Sequence, residues 1–149
     1  MRNALLIGAT IALIGAPASA QTPPAPRPSG HHTMHLIKLP NGDYTVPLAE
    51  LEGSGASGKV TVRPQGLKTL VTIQVSGKPK HKHVFSLKSG GDCGILGTPA
   101  AVSLTPALTG EPSRTVIALP IGDLASKDYV LTAQDATARE QFKEACARF

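Results

Sequence analysis

All five histidines of this 149-residue chain fall in two clusters: His31, His32 and His35 with Met34 among them, and His81 with His83. Imidazole and thioether together suit Cu(I), whereas imidazole alone suits Cu(II), Zn(II) or Ni(II). The run His31 to His35 (HHTMH) follows a proline-rich stretch, so it could wrap a copper or zinc ion without disturbing a folded domain. No carboxylate lies between Gln21 and Asn41, so a site there would rest on imidazole. The competing reading is a solvated, histidine-rich tail. A site shared with His81 and His83 would require that tail to fold back.

Other reactive side chains are fewer. Lys59, Arg63, Lys68, Lys78, Lys80, Lys82 and Lys88 lie between Gly53 and Gly91, a stretch without a single acid. Lys78, Lys80 and Lys82, with His81 and His83, would attract an anionic surface, whether of lipid phosphates, polysaccharide or nucleic acid. The competing reading is a set of lysines guarding an edge strand or loop, and strand alternation need not gather them on one face. Ser86 near His83 suggests a dyad, but no glycine-flanked elbow surrounds it and nothing supplies an oxyanion hole. Asp92 and Asp123 read as turn or loop acceptors.

The elements that must hold these side chains are short and extended. Alternation or β-rich composition marks Tyr44 to Leu51, Lys59 to Val62, Leu70 to Val75, His83 to Lys88, Ala101 to Leu104, Thr115 to Leu119 and Tyr129 to Ala133. Leu70, Thr72 and Gln74 face one way; Val71, Ile73 and Val75 face the other. Turns bearing Gly or Pro separate the runs, which predicts an all-β sandwich or barrel. Only Thr137 to Ala147 is helix-like, rich in Ala, Arg, Glu, Gln and Lys, as one or two turns or an irregular closing segment. With 15 Gly, 13 Pro and 17% charged residues, a helical bundle is disfavoured. At 3% aromatic and no Trp, there is no stacking platform for specific nucleic-acid recognition.

The beginning of the chain reads as an export signal. Arg2 precedes an apolar run from Ala4 to Ala16, and Ala18-Ser19-Ala20 supplies a small-x-small cleavage site. The run is shorter than the ~20 residues of a spanning helix. Residues 1–20 are therefore expected to be removed, leaving no transmembrane segment. Residues 21–35 read as a disordered Pro-rich and His-rich segment, and 36–149 as one domain. The mature chain stays mildly basic, in a periplasmic or secreted setting. Its two cysteines, Cys93 and Cys146, would meet an oxidising compartment where pairing is the default. Two unpaired buried thiols are the alternative.

The stretch His83 to Cys93 (HVFSLKSGGDC) resembles the copper/zinc superoxide dismutase signature His-Gly-Phe-His-Ile-His followed by a short loop and Gly-Asp-Cys. His83, Phe85, Gly91, Asp92 and Cys93 match in register. Leu48 to Leu51, Lys59 to Val62, Gly66 and Val71 to Gly77 are similar to the strands that lead to that motif. Lys143-Glu144-Ala145-Cys146 resembles the Arg-x-Ala-Cys that carries the family's second half-cystine. A segment like Ser113 to Leu124, a Tyr-initiated strand and a terminal Cys are shared with short exported bacterial domains of this kind. The resemblance implies a Greek-key, immunoglobulin-like β-sandwich or barrel of about seven to eight strands, with a disulfide between Cys93 and Cys146.

The departures bear on function. Ser86 and Lys88 stand where the family has two copper ligands; a hydroxyl is a poor copper ligand, and an ammonium has no lone pair to give. No histidine follows His83, so the bridging, zinc and last copper ligands have no counterpart. By the same resemblance His83 is a structural, hydrogen-bonding histidine, and Lys143 falls where the family has its anion-guiding Arg. The expectation is an exported, non-enzymatic dismutase-like module that binds a partner or serves a structural role and carries no cofactor. The alternative is a periplasmic copper- or zinc-binding protein that uses His31, His32, Met34 and His35.

Overall fold

The computed structural model describes residues 36–51, 53–90, 93, 102–137 and 143–149. Nine strands and one short helix occur among them: β1 Ile37–Lys38, β2 Tyr44–Glu50, β3 Ser57–Gln65, β4 Lys68–Ser76, β5 Lys82–Ser89, β6 Val102–Leu108, β7 Ser113–Ile117, α1 Ile121–Ser126, β8 Tyr129–Asp135 and β9 Lys143–Arg148. Residues 1–20, expected to be an export signal, the proline-rich segment, His31 to His35 and Asp92 lie outside the described residues. Among the described residues, no helix is long and apolar enough to cross a membrane.

All strand pairs are antiparallel, in the order β6-β5-β8-β9-β2-β3-β4-β7, with β1 added beside β2. The non-sequential neighbours make this a Greek key. The two ends of the sheet approach each other through side chains. Thr105 N–H donates to Thr115 Oγ1 at 2.9 Å, the two threonine hydroxyls are 3.0 Å apart, and Ser113 Oγ donates to the Thr105 carbonyl. The result is a nearly closed barrel.

Period-two alternation builds the core. The two faces expected of β4 are present: Val71, Ile73 and Val75 point inward, with Leu70, Thr72 and Gln74 on the other face. Inward residues pair across the ladders: Val46 with Val60, Val60 with Ile73, Val62 with Val71. In the other half, Phe85 lies opposite Ala133 and Leu87 opposite Leu131, while Ala133 and Leu131 face Ala145 and Ala147. All of these side chains belong to one buried cluster. Adjacent side chains on a common face are the units that stabilise a sheet.

Several elements depart from the sequence expectation; β3, for one, runs over Ser57–Gln65 where Lys59 to Val62 was expected, and β1 was not expected. β6 runs on past Leu104 through Pro106, because a register shift sets Thr105 and Pro106 opposite Val84 alone. A bulge tolerates a residue without an N–H. β7 starts two positions early, at Ser113, and stops before Leu119, whose carbonyl accepts Thr69 Oγ1 at 2.7 Å. The helix-like segment is corrected more strongly: its described part, from Lys143, is strand β9. Pairing with β8 and β2 buries Ala145, Cys146 and Ala147, and that burial outweighs helix propensity. The helix that does form, α1, buries Leu124 and carries Asp123 in its first turn, ion-paired to Lys127 at 2.8 Å. Asp123 is thus a helical residue rather than a turn acceptor.

Two polar ties reinforce the barrel. Asp43, 5% exposed, receives Arg63 Nε at 2.8 Å and Arg63 Nη2 at 2.9 Å in a two-pronged pair, with Asn41 Nδ2 at 3.0 Å. The guanidinium bond holds the Asp43 carboxyl below its usual range, against the opposing effect of burial. Cys93 and Cys146 form a disulfide that ties the segment after β5 to β9 across a sequence separation of 53. Lys143 Nζ adds a second tie, donating to the Cys93 carbonyl at 2.9 Å.

Closing a loop of that length is worth about 4 kcal/mol by the chain-entropy argument. Reduction should therefore lower the unfolding free energy by about that amount in urea titrations with and without reductant. The Asp43 pair has an acid signature. Its folded value is depressed, so its contribution is complete above the ordinary value of 3.8 and is lost as pH falls through the folded one. Asp43→Asn should make the acid limb of stability against pH shallower below 3.8; an unchanged limb would contradict the pairing.

Candidate functional site

At one end of the barrel the inner face of β5 carries a polar residue. His83, Phe85 and Leu87 point inward on this strand, and His83 is the first of them, with its side chain 2% exposed. Its ring packs over Phe85, with centroids 6.2 Å apart, and edge-on to His81 at 5.1 Å. A buried imidazole requires partners for both nitrogens. Nδ1 lies 2.7 Å from Glu144 Oε2 and Nε2 lies 2.9 Å from Thr109 Oγ1.

Each partner arrives through a local backbone device. Glu144 sits where β9 has one residue more than β8, since Ala133 faces Ala145 and Gln134 faces Lys143. The bulge releases Glu144 from the ladder to β8. Its carbonyl accepts Leu51 N–H at 2.9 Å and Ser54 Oγ at 2.7 Å. Thr109 follows β6 and extends the pairing with β5, donating its N–H to the His81 carbonyl at 2.8 Å.

His81 is presented by a turn over Lys78 to His81, closed by a 3.4 Å bond from His81 N–H to the Lys78 carbonyl. Pro79 takes the second position and Lys80 the third, at φ +60°. This is a type II pattern, which ordinarily puts Gly or Asn in the third place. Lysine there carries roughly 1–2 kcal/mol of left-handed strain. His81 Nε2 then faces two carboxylates, Glu144 Oε1 at 3.0 Å and Asp135 Oδ2 at 3.2 Å. The other Asp135 oxygen accepts the Thr137 N–H and hydroxyl, each at 2.7 Å.

Two proton arrangements satisfy the same atoms. In both, His83 Nδ1–H donates to Glu144; either the Thr109 hydroxyl donates to Nε2, or Nε2 also carries a proton and donates to Thr109, whose hydroxyl then donates to the His81 carbonyl at 3.3 Å. The sequence Thr109–His83–Glu144 has the order of a hydrolytic triad. The nearby N–H groups that an oxyanion would need are all engaged: Thr109 with His81, Gly110 with Val75 and Glu111 with Leu108. The other capacity of the cluster is to hold a cation. The ligand atoms of His81, His83 and Glu144 all lie within 4.8 Å of one another.

The remaining sequence candidates are elsewhere. Ser86 and Lys88 are on the outer face of β5, half-buried, and Ser86 Oγ pairs with Thr132 Oγ1 at 2.9 Å. Ser86 and His83 therefore face opposite sides of the strand and form no dyad. Lys78, Lys80 and Lys82 are exposed in and just after the β4–β5 turn. Glu144, Asp135 and Thr109 were not legible as partners, because Glu144 is 61 and 63 positions from the two histidines. One signal existed: both histidines lie in the acid-free stretch, so any carboxylate partner had to come from outside it.

Fold and site together define a disulfide-bonded Greek-key barrel with a histidine–carboxylate cluster at one end. No protein-family model, curated protein or solved structure matches this chain.

Thr109→Val keeps the shape of the side chain and leaves one nitrogen of the buried His83 without its partner. The expected cost is roughly 1–3 kcal/mol of stability, read from denaturant midpoints. An unchanged midpoint would mean that the hydroxyl contributes nothing.

Proposed function

We propose that this chain is an exported, non-catalytic relative of the copper/zinc superoxide dismutases, acting as a binding or structural module. The observation that carries this reading is the outer face of β5. There Ser86 and Lys88 occupy the two positions where the resemblance puts copper ligands, and the Ser86 hydroxyl is bonded to Thr132. Neither side chain offers the imidazole lone pair that a copper redox cycle uses.

The Greek-key order and the disulfide from the segment after β5 to β9 support the resemblance, since its motif ends at Cys93 and its second half-cystine is Cys146. Lys143, at the position of the anion-guiding Arg, has its ammonium bonded to the Cys93 carbonyl. One cation without a redox metal turns over no superoxide.

The test is superoxide consumption by the chain after incubation with copper and zinc and removal of free ions. The rate should not exceed that of the same amount of free metal. A rate well above it would overturn the non-catalytic reading.

A further inference from the structure

The geometry points to a closed site for one divalent transition ion of the zinc type, with His81 Nε2, His83 Nδ1 and a Glu144 carboxylate oxygen as ligands and Asp135 Oδ2 as the fourth. The site goes beyond the reading of the chain as a dismutase relative. It lies at the barrel end, on the inner side of β5, not at the outward positions of Ser86 and Lys88.

The first argument is distance. A tetrahedral zinc with bonds of about 2.0–2.2 Å holds its ligand atoms about 3.3 Å apart. Here His83 Nδ1 and Glu144 Oε2 are 2.7 Å apart, His81 Nε2 and Glu144 Oε1 3.0 Å, and His81 Nε2 and Asp135 Oδ2 3.2 Å. To admit the ion these close pairs must open slightly, and the ligand atoms of His81, His83 and Glu144, which lie within 4.8 Å of one another, must settle at about 3.3 Å.

The second argument is charge. A single imidazole nitrogen, His81 Nε2, stands between two carboxylates, and one N–H serves two acceptors poorly. A divalent ion in place of the protons on His81 Nε2 and His83 Nδ1 bonds to both carboxylates and balances their charge. Each imidazole binds the ion as a neutral ring, through the lone pair of the nitrogen facing the carboxylates, with the ring proton carried on its other nitrogen.

The third argument is the outer shell. A ligating histidine characteristically donates its other N–H to a fixed acceptor. Thr109 Oγ1 provides that acceptor for His83 Nε2 at 2.9 Å while donating to the His81 carbonyl. His81 is delivered by a turn that places Lys80 in the left-handed region. Local strain of this kind collects where a side chain must be held in one place. His81, Asp135 and Glu144 are 22%, 19% and 13% exposed, so an ion has a path from solvent. Four protein ligands leave no open position, which makes the site structural and not catalytic.

The test uses the full chain carrying His31→Ala, His32→Ala and His35→Ala, so that no other histidine remains to bind. After chelator treatment it is titrated with Zn²⁺ by calorimetry. One equivalent should bind, with a rise in melting temperature. His81→Ala, Glu144→Gln and Asp135→Asn should each weaken binding about tenfold or more, with far-UV circular dichroism unchanged. Ser86→Ala, on the outer face, should leave the affinity as it was. Failure of the parent to bind Zn²⁺, or equal affinity in folded His81→Ala and Glu144→Gln proteins, would overturn the site. Neither result bears on superoxide consumption, so the two readings fail separately.

Discussion

Glu144 joins the start of β5 to the segment after β2 at this end of the barrel. Its two oxygens meet His81 and His83 at the start of β5, and its carbonyl holds Leu51 and Ser54 beyond β2. The constraint behind this is the burial of His83. An imidazole sealed in an apolar barrel must find two partners, and their desolvation is offset only when both bonds are made. Thr109 and Glu144 are those partners, and their positions fix the end of β6, the bulge in β9 and the turn before β5. Loss of the His83 ring would leave Glu144 Oε2 and the Thr109 hydroxyl each short of one partner.

β5 shows how one strand can carry two unrelated chemistries. Its inward side runs from His83 through Phe85 to Leu87, polar at the barrel end and apolar further in. Its outward side carries Ser86 and Lys88, with the serine hydroxyl matched to Thr132 on β8. Period-two geometry keeps these faces apart however close the residues are in sequence. A dyad of His83 and Ser86 was therefore never available, while Glu144, 61 positions away, was within reach.

Much of the fold was legible in the sequence because the core is built by alternation. Val71, Ile73 and Val75 announce their inward face before any partner strand is known, and Gly- and Pro-bearing turns mark where each strand ends. Cys93 and Cys146 were legible as a pair from count and compartment alone. β9 was not. Lys143 to Arg148 has the composition of a helix, and only docking between β8 and β2 decides against it. The cluster was half legible: His81 and His83 stand out, but Glu144, Asp135 and Thr109 come from strand ends whose convergence is a property of the topology. A bulge, which re-aims Glu144, leaves no mark in composition.

The disulfide has a consequence for maturation. The meander of β2, β3 and β4 pairs neighbours in sequence and lies outside the covalent loop. In the folded chain β9, docked between β2 and β8, carries Cys146 to its partner. With two cysteines in the entire chain, no wrong intramolecular bridge can form. Oxidation therefore has one intramolecular outcome, and maturation calls for an oxidant but for no isomerase to reshuffle mistakes.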